Sequence, residues 1–194
     1  MMFRMALAAG SLAACLAPAA ADCRQDVQDL LKAAEEWTDY RITTETLMGG
    51  AAVQHSTQHY ADYSHFYQHV EETGVHWLVL GNQEYLSKDG VTFAQHKERP
   101  ENWLEEQMAL NAAVRESVRD AQCSTVELDG KPHRLLHHVQ ETKEPVETIS
   151  VVQSWVDEAS GRLVRREAET EAHGQKFSMI YVYEWNMNVT LPDP

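Results

Sequence analysis

Apolar residues recur at helical spacing in two segments of the chain. Between positions 25 and 37 they return every three or four residues, with acidic residues on the opposite side, which predicts an amphipathic helix. The same spacing holds from 100 to 120, where Pro100 and the glutamates after it are typical of a helix start. We therefore expect two amphipathic helices, 25–37 and 100–120.

The other segments of the chain alternate as β-strands do, beginning at 40–47, a run rich in β-branched side chains. Gly49-Gly50 then marks a hairpin turn, and further glycine-containing pairs separate the later runs. Because short turns join antiparallel neighbours, the pattern predicts an antiparallel sheet. The later predicted strands are 51–60, 63–71, 75–80, 83–87, 91–96, 124–129, 132–141, 147–157, 162–172 and 175–187.

The last predicted strand carries apolar side chains on both faces, which is typical of a sheet with a covered interior. The expected fold class is α+β: a curved antiparallel sheet, or half-barrel, whose concave face is covered by the two helices. No internal repeat or linker divides the chain, so 22–194 is expected to form a single domain. One face of this strand would carry Phe177, Met179, Tyr181, Tyr183 and Trp185, and the other Ile180 and Val182.

The first residues have the features of a targeting segment. Arg4 precedes a short apolar stretch that ends in small residues at positions 19–21, which predicts a secretory signal peptide over 1–21. The run from Leu12 to Cys15 is also similar to a bacterial lipobox, in which Cys15 would carry lipid. We favour soluble export to the periplasm, with a lipid anchor at Cys15 as the alternative.

The net charge excludes some classes of partner, and the cysteine content indicates the compartment. Sixteen basic against thirty acidic residues give a net charge of −14, which excludes nucleic acid and disfavours anionic lipid surfaces. Without residues 1–21, Cys23 and Cys123 are left, and in an oxidising compartment they are expected to form a disulfide. It would join the start of the first helix to the end of the second. The mature chain has no apolar run long enough to span a membrane.

The sequence contains no motif of a known catalytic centre: it lacks G-x-S-x-G, H-E-x-x-H, C-x-x-C and a glycine-rich phosphate loop. We therefore expect a protein that is not an enzyme and needs no cofactor. Histidine suggests an alternative, because His55, His59, His65 and His69 fall on two neighbouring predicted strands. A hairpin there would place His59 opposite His65 and His55 opposite His69, and converging imidazoles suit zinc, copper or nickel.

The two helices are too small to fill the concave face of so long a sheet. This favours an apolar cavity between the helices and the sheet. Tryptophan, tyrosine and methionine on inward faces would suit a flexible hydrophobic ligand. The candidate lining residues are Trp37, Leu47, Trp77, Leu78, Met108, Trp155, Met179, Tyr181 and Tyr183.

Local patterns add a resemblance to a known family. Residues 80–86, followed by Asp89-Gly90, and the run from Ser154 to Leu163 are similar to strands and turns of the LolA/LolB-like superfamily, which includes the LppX-type lipoproteins. The closing residues Val189–Pro192 are similar as well. The resemblance implies a half-barrel that holds acyl chains of lipids or lipoproteins, without metal cofactor or catalytic centre. The histidine-rich hairpin departs from this pattern.

These observations lead to one expectation and two alternatives. We expect a periplasmic, non-catalytic binding or carrier protein whose partner is an apolar small molecule or a lipidated protein. A histidine-rich metal-binding protein is the first alternative. The second is an envelope sensor or interaction module with a transient protein partner.

Overall fold

The computed structural model describes residues 20–143 and 146–194. The predicted leader up to residue 19, including Cys15, lies outside these residues. The two helices are α1, Ala20–Ala33, which continues into a 3-10 turn over Ala34–Glu36, and α2, Trp103–Ser117. The strands are β1 Tyr40–Met48, β2 Ala51–Asp62, β3 His65–Val70, β4 Val75–Leu80, β5 Gln83–Ser87, β6 Ala94–Glu98, β7 Arg119–Leu128, β8 Lys131–Thr142, β9 Thr148–Asp157, β10 Leu163–Ala172 and β11 Gln175–Trp185.

All eleven strands belong to one sheet in the order β6-β5-β4-β3-β2-β1-β11-β10-β9-β8-β7. Every neighbouring pair is antiparallel, so the predicted antiparallel α+β architecture is confirmed. The chain starts at the centre with β1, moves outward to β6, and returns from the other edge, β7, to the centre at β11. Helix α2 is the connection between the two edge strands.

The main correction to the predicted elements concerns the end of the second helix. Helix α2 stops at Ser117, and Val118 is already extended, with φ −55° and ψ 123°. The following residues pair with β8, since Arg119 lies opposite Val139. Gln122 lies opposite His137 after a register shift, so β7 begins well before the predicted strand at 124.

A small core fixes α1 to the β7–β8 end of the sheet. It is formed by buried Cys23, Val27, Val118, Ala121 and Leu136. The predicted disulfide between Cys23 and Cys123 is confirmed, with the two Cα atoms 5.4 Å apart. It joins α1 to strand β7, and not to the end of the second helix as expected.

The register defines two faces of the sheet. The helix-side face is the one that carries Tyr183 and Trp185, against which Trp37 packs edge-on after α1. Tyr183 lies opposite Ile42 of β1, and Ile42 lies opposite Gln58 of β2, so these residues share that face. The outer face carries the alternate residues of each strand.

Candidate functional site

Two adjoining cavities lie where the helices meet the helix-side face. The first, here called the helix cavity, has a volume of about 280 Å³ and the second, the α2 groove, about 530 Å³. Val114 of α2 lines both, so the two spaces adjoin at this side chain. The helix cavity is lined by Leu31, Ala34, Glu35, Tyr63, Asn111, Val114, Gln140 and Arg166. The α2 groove is lined by Leu110, Ala113, Val114, Glu116, Ser117, Glu141, Thr142 and Lys143.

Helix α2 covers the helix cavity through contacts to both halves of the sheet. Asn111 donates a hydrogen bond to the hydroxyl of Tyr63, in the turn between β2 and β3, over 2.9 Å. Six residues later, Ser117 donates from its hydroxyl to the carbonyl of Glu141 in β8, over 3.1 Å. Strands β2 and β8 stand on opposite sides of the central pair β1–β11. The helix therefore bridges the two halves.

Polar side chains from β8 and β10 line the floor of the helix cavity. Arg166 donates from Nη2 to the side-chain oxygen of Gln140 over 3.1 Å, while its buried Nε has no hydrogen-bond partner. His138, also in β8, does not line the helix cavity but lines a smaller cavity next to it, and the residue is 1% exposed. Burial, with Arg166 and His137 nearby, lowers the pKa of His138 to about 4, so its ring is neutral at pH 7.

A row of aromatic rings continues from the cavity across the helix-side face. Trp37 meets Trp185 at a centroid distance of 5.0 Å. Tyr40 stacks on Tyr60 at 4.7 Å, and Tyr60 lies 5.1 Å from Phe66 in β3. Burial raises the pKa of Tyr183 to about 12, so its hydroxyl stays protonated at neutral pH and the row carries no charge.

The structure divides the predicted lining residues between the two faces. Tyr183 and Trp37 line a small cavity of about 50 Å³ under α1, next to the helix cavity. Half-buried Met108 lies on α2. The register places Trp77, Met179 and Tyr181 on the helix-side face, and Leu47, Leu78 and Trp155 on the outer face.

Sequence reasoning missed the polar residues of the helix cavity: Tyr63, Asn111, Gln140 and Arg166. The adjacent arginines Arg165 and Arg166 were the available signal, because neighbouring residues in a strand point to opposite faces. One of them had to face the interior of a covered sheet. Tyr63 and Asn111 had no comparable signal, because their meeting depends on where α2 crosses the turn between β2 and β3.

The four candidate metal-ligating histidines have other partners than the predicted ones. In the β2–β3 hairpin, His59 lies opposite Tyr67 and His69 opposite Thr57, so the predicted facing pairs are wrong.

His55, His65 and His69 each interact with a different side chain. The ring of His55 bonds the carboxylate of Glu72 at 2.7 Å, that of His65 bonds Asp62 at 2.9 Å, and His69 stacks on His76 at 4.3 Å. Within 20–143 and 146–194, no group of three or more histidine, cysteine or acidic side chains is arranged to hold a metal ion.

Comparison of the sequence with models of protein families and with curated proteins gives no match. In the part of the chain that the structure describes, no helix combines the length and the apolar character needed to cross a membrane.

Proposed function

We propose that this protein is a periplasmic, non-catalytic carrier that holds an acyl chain between its two helices and the helix-side face of the sheet. The chain would belong to a free lipid or to a lipidated protein. The observation that carries the proposal is the pair of cavities that share Val114 in their lining. The helix cavity lies between both helices and the sheet, and the α2 groove lies between α2 and the end of β8.

The size and the lining of the cavities suit such a ligand. Binding sites for small molecules measure about 300–1,000 Å³ and are mostly apolar, and the two spaces measure about 280 and 530 Å³. Leu31, Leu110 and Val114 offer aliphatic surface on the helices. Each methylene removed from water contributes about 0.8 kcal/mol, so a partly enclosed chain binds usefully.

The length of the edge-to-edge connection supports the half-barrel shape that the proposal needs. In a flat sheet of eleven strands, ten spacings would separate the edges by about 48 Å. The connection from Glu98 to Arg119 includes the fifteen residues of α2. It reaches about 46 Å only if all of its residues outside the helix are fully extended. A turn between Pro100 and Trp103 shortens it further. A sheet bent toward α2 accommodates this connection, and a flat one does not.

The disulfide and the charge agree with a protein of the cell envelope. Disulfides persist in oxidising compartments such as the periplasm, and one joins Cys23 to Cys123. The net charge of −14 opposes unspecific adsorption to anionic membranes. Weak adsorption suits a carrier, because a carrier must associate with a membrane only reversibly.

The first experiment is a binding titration of delipidated protein with N-phenyl-1-naphthylamine, a neutral apolar probe. Val114→Trp places a large ring where the two cavities adjoin, and we expect probe affinity to fall by about tenfold or more because contact area is lost. Val182→Trp is the matched control, since Val182 lies on the outer face and is 40% exposed. The Val182→Trp variant should bind the probe with the same affinity as the wild type.

Lipid extraction of gently purified protein complements the titration, and co-purified lipid at a fixed stoichiometry is the expected result. The proposal fails if the wild type binds no probe and carries no lipid. It also fails if Val114→Trp binds the probe as tightly as Val182→Trp.

A further inference from the structure

We infer that the bound acyl chain carries a negatively charged head group, a carboxylate or a phosphate, and that Arg166 receives this group in the helix cavity. The inference rests on the proposed function and adds the class of ligand. It starts from the position of Arg166 on the sheet. Arg166 lies opposite Ser154 of β9 and Tyr181 of β11 on the helix-side face, and it lines both the helix cavity and the small cavity under α1.

In the described part of the chain, no carboxylate forms an ion pair with Arg166. Six other arginines form ion pairs with carboxylates: Arg41, Arg99, Arg115, Arg119, Arg134 and Arg165. Among residues 20–143 and 146–194, no carboxylate lies within 4.0 Å of the Arg166 guanidinium. Glu35 lines the same cavity, but its carboxylate is paired with Arg115 of α2.

The hydrogen bonds of Arg166 are also incomplete. Nη2 of Arg166 donates to the amide oxygen of Gln140, and the guanidinium also interacts with the hydroxyl of Tyr183. Its buried Nε has no acceptor among the described residues. Arg166 is half-buried, and partial burial of a charged group without a counterion is unfavourable. An anion in the helix cavity would supply both the missing charge and the missing acceptor.

The donors around Arg166 fit a planar or tetrahedral oxyanion. A guanidinium presents its N–H groups as a fork that matches two oxygens of one anion. The amide of Asn111 and the hydroxyl of Tyr63 line the same cavity and are polar groups within the space that the head would occupy. The aliphatic tail would then extend past Val114 into the α2 groove.

The test compares three amphiphiles that share a sixteen-carbon chain: palmitate, palmitoyl lysophosphatidate and the neutral hexadecanol. Each displaces N-phenyl-1-naphthylamine from delipidated wild-type protein below its micellar concentration. We expect at least one anionic amphiphile to bind about tenfold or more tightly than hexadecanol, as for a charge-assisted hydrogen-bonded pair. The two anions distinguish a carboxylate head from a phosphate head.

Arg166→Gln should remove this preference, so that the anionic amphiphiles bind no more tightly than hexadecanol does to the same variant. Arg165→Gln is the matched control, because Arg165 is the neighbouring residue on the outer face, bonded to Glu167. It should keep the full preference. Arg166→Lys, which retains the charge without the fork, should keep part of it. Arg166→Met replaces Arg166→Gln if thermal unfolding shows that the glutamine variant does not fold.

The inference is overturned if wild-type protein binds hexadecanol as tightly as both anions, or if the uncharged variant retains the preference. In either case binding of hexadecanol leaves the carrier proposal standing. If none of the amphiphiles displaces the probe and the probe itself does not bind, the proposed function fails first.

Discussion

Arg165 and Arg166 show how neighbouring residues of one type acquire different roles. Arg165 lies on the outer face, donates to Glu167 over 2.7 Å and lies over the ring of Trp155. Arg166 points into the helix cavity with an unpaired Nε. A register shift between Leu163 and Arg165 decides which of the two points inward. The extra residue reverses the alternation, so the side chain at 166 faces inward with Leu163.

The buried ring of His138 makes the stability of the protein sensitive to acid. Its pKa is about 4 in the folded protein and about 6.5 in an unfolded chain. Between these values the unfolded chain binds one proton more, so lowering the pH favours unfolding. The contribution of neutral His138 to the free energy of unfolding is fully present above pH 6.5. About 2–3 kcal/mol of this contribution should be lost by pH 4.5.

Urea denaturation at pH 7.5 and 4.5 measures this loss, and His138→Gln should lack it. His55→Gln is the control. The hydrogen bond to Glu72 raises the pKa of exposed His55, so its contribution has the opposite sign and is lost as pH rises through the folded pKa. An acid loss of equal size in His138→Gln and in the wild type would contradict the assignment.

Among the strands, burial on the outer face distinguishes side chains that pack a core from side chains that line the cavities. Leu78 of β4 was a candidate lining residue, yet it lies opposite Tyr67 on the outer face and is 0% exposed. The segment after β5 packs over this region, since Phe93 meets the ring of Tyr67 and Gly90 lies beside His76. Leu78 therefore packs a second core, away from the cavities.

Leu78→Ala should reduce the free energy of unfolding by about 2–5 kcal/mol, because it leaves a void in this packed region. Probe affinity of the folded variant should stay at the wild-type value. Val182→Ala, at an exposed outer-face position, should change the stability by less than about 0.5 kcal/mol. Urea denaturation and probe titration on the same samples measure both quantities, and a weakened probe affinity in Leu78→Ala would place this residue at the ligand after all.

At the scale of the whole molecule, the two halves of the sheet are connected at three places. The central pair β1–β11 joins them by backbone hydrogen bonds, α2 links their outer edges, and α1 is attached to β7 by the Cys23–Cys123 disulfide. The disulfide closes a segment of 100 residues, which contains every strand of the β1–β6 half. It restricts the unfolded chain over more than half of its described length.

Replacing both cysteines, as Cys23→Ser with Cys123→Ser, should lower the free energy of unfolding by about 4–5 kcal/mol in the chain-entropy model for a loop of this length. Wild-type protein under reducing conditions should lose a similar amount, which is the control for the serine substitutions. Urea denaturation measures both. A difference below about 1 kcal/mol in either sample would show that the bridge does not restrict the unfolded chain as the model assumes.

Much of the local structure could be predicted from the sequence because its causes are local. The glycine pairs and the alternation placed the strands within a few residues, and the last strand has its five aromatic and methionine side chains on one face as predicted. The second helix was predicted too long, because pairing of Arg119 with β8 competes with helix formation and only the fold supplies β8. None of the nine predicted lining residues lines the helix cavity or the α2 groove, and Trp37 and Tyr183 line the small cavity beside them.

The sequence by itself determined which residues alternate together along each strand, where the turns lie and which cysteines can pair, since each depends on neighbours in the chain or on a count. Only the tertiary structure decided which face meets the helices. Register shifts at Tyr60–Asp62 in the β2–β3 hairpin and at Leu163–Arg165 in the β9–β10 hairpin move side chains between faces. The alternation of apolar and polar residues does not show where such shifts occur. Two adjacent arginines in a strand require that one of them faces inward, but only the register shift selects Arg166, and only the crossing of α2 from one edge to the other covers it.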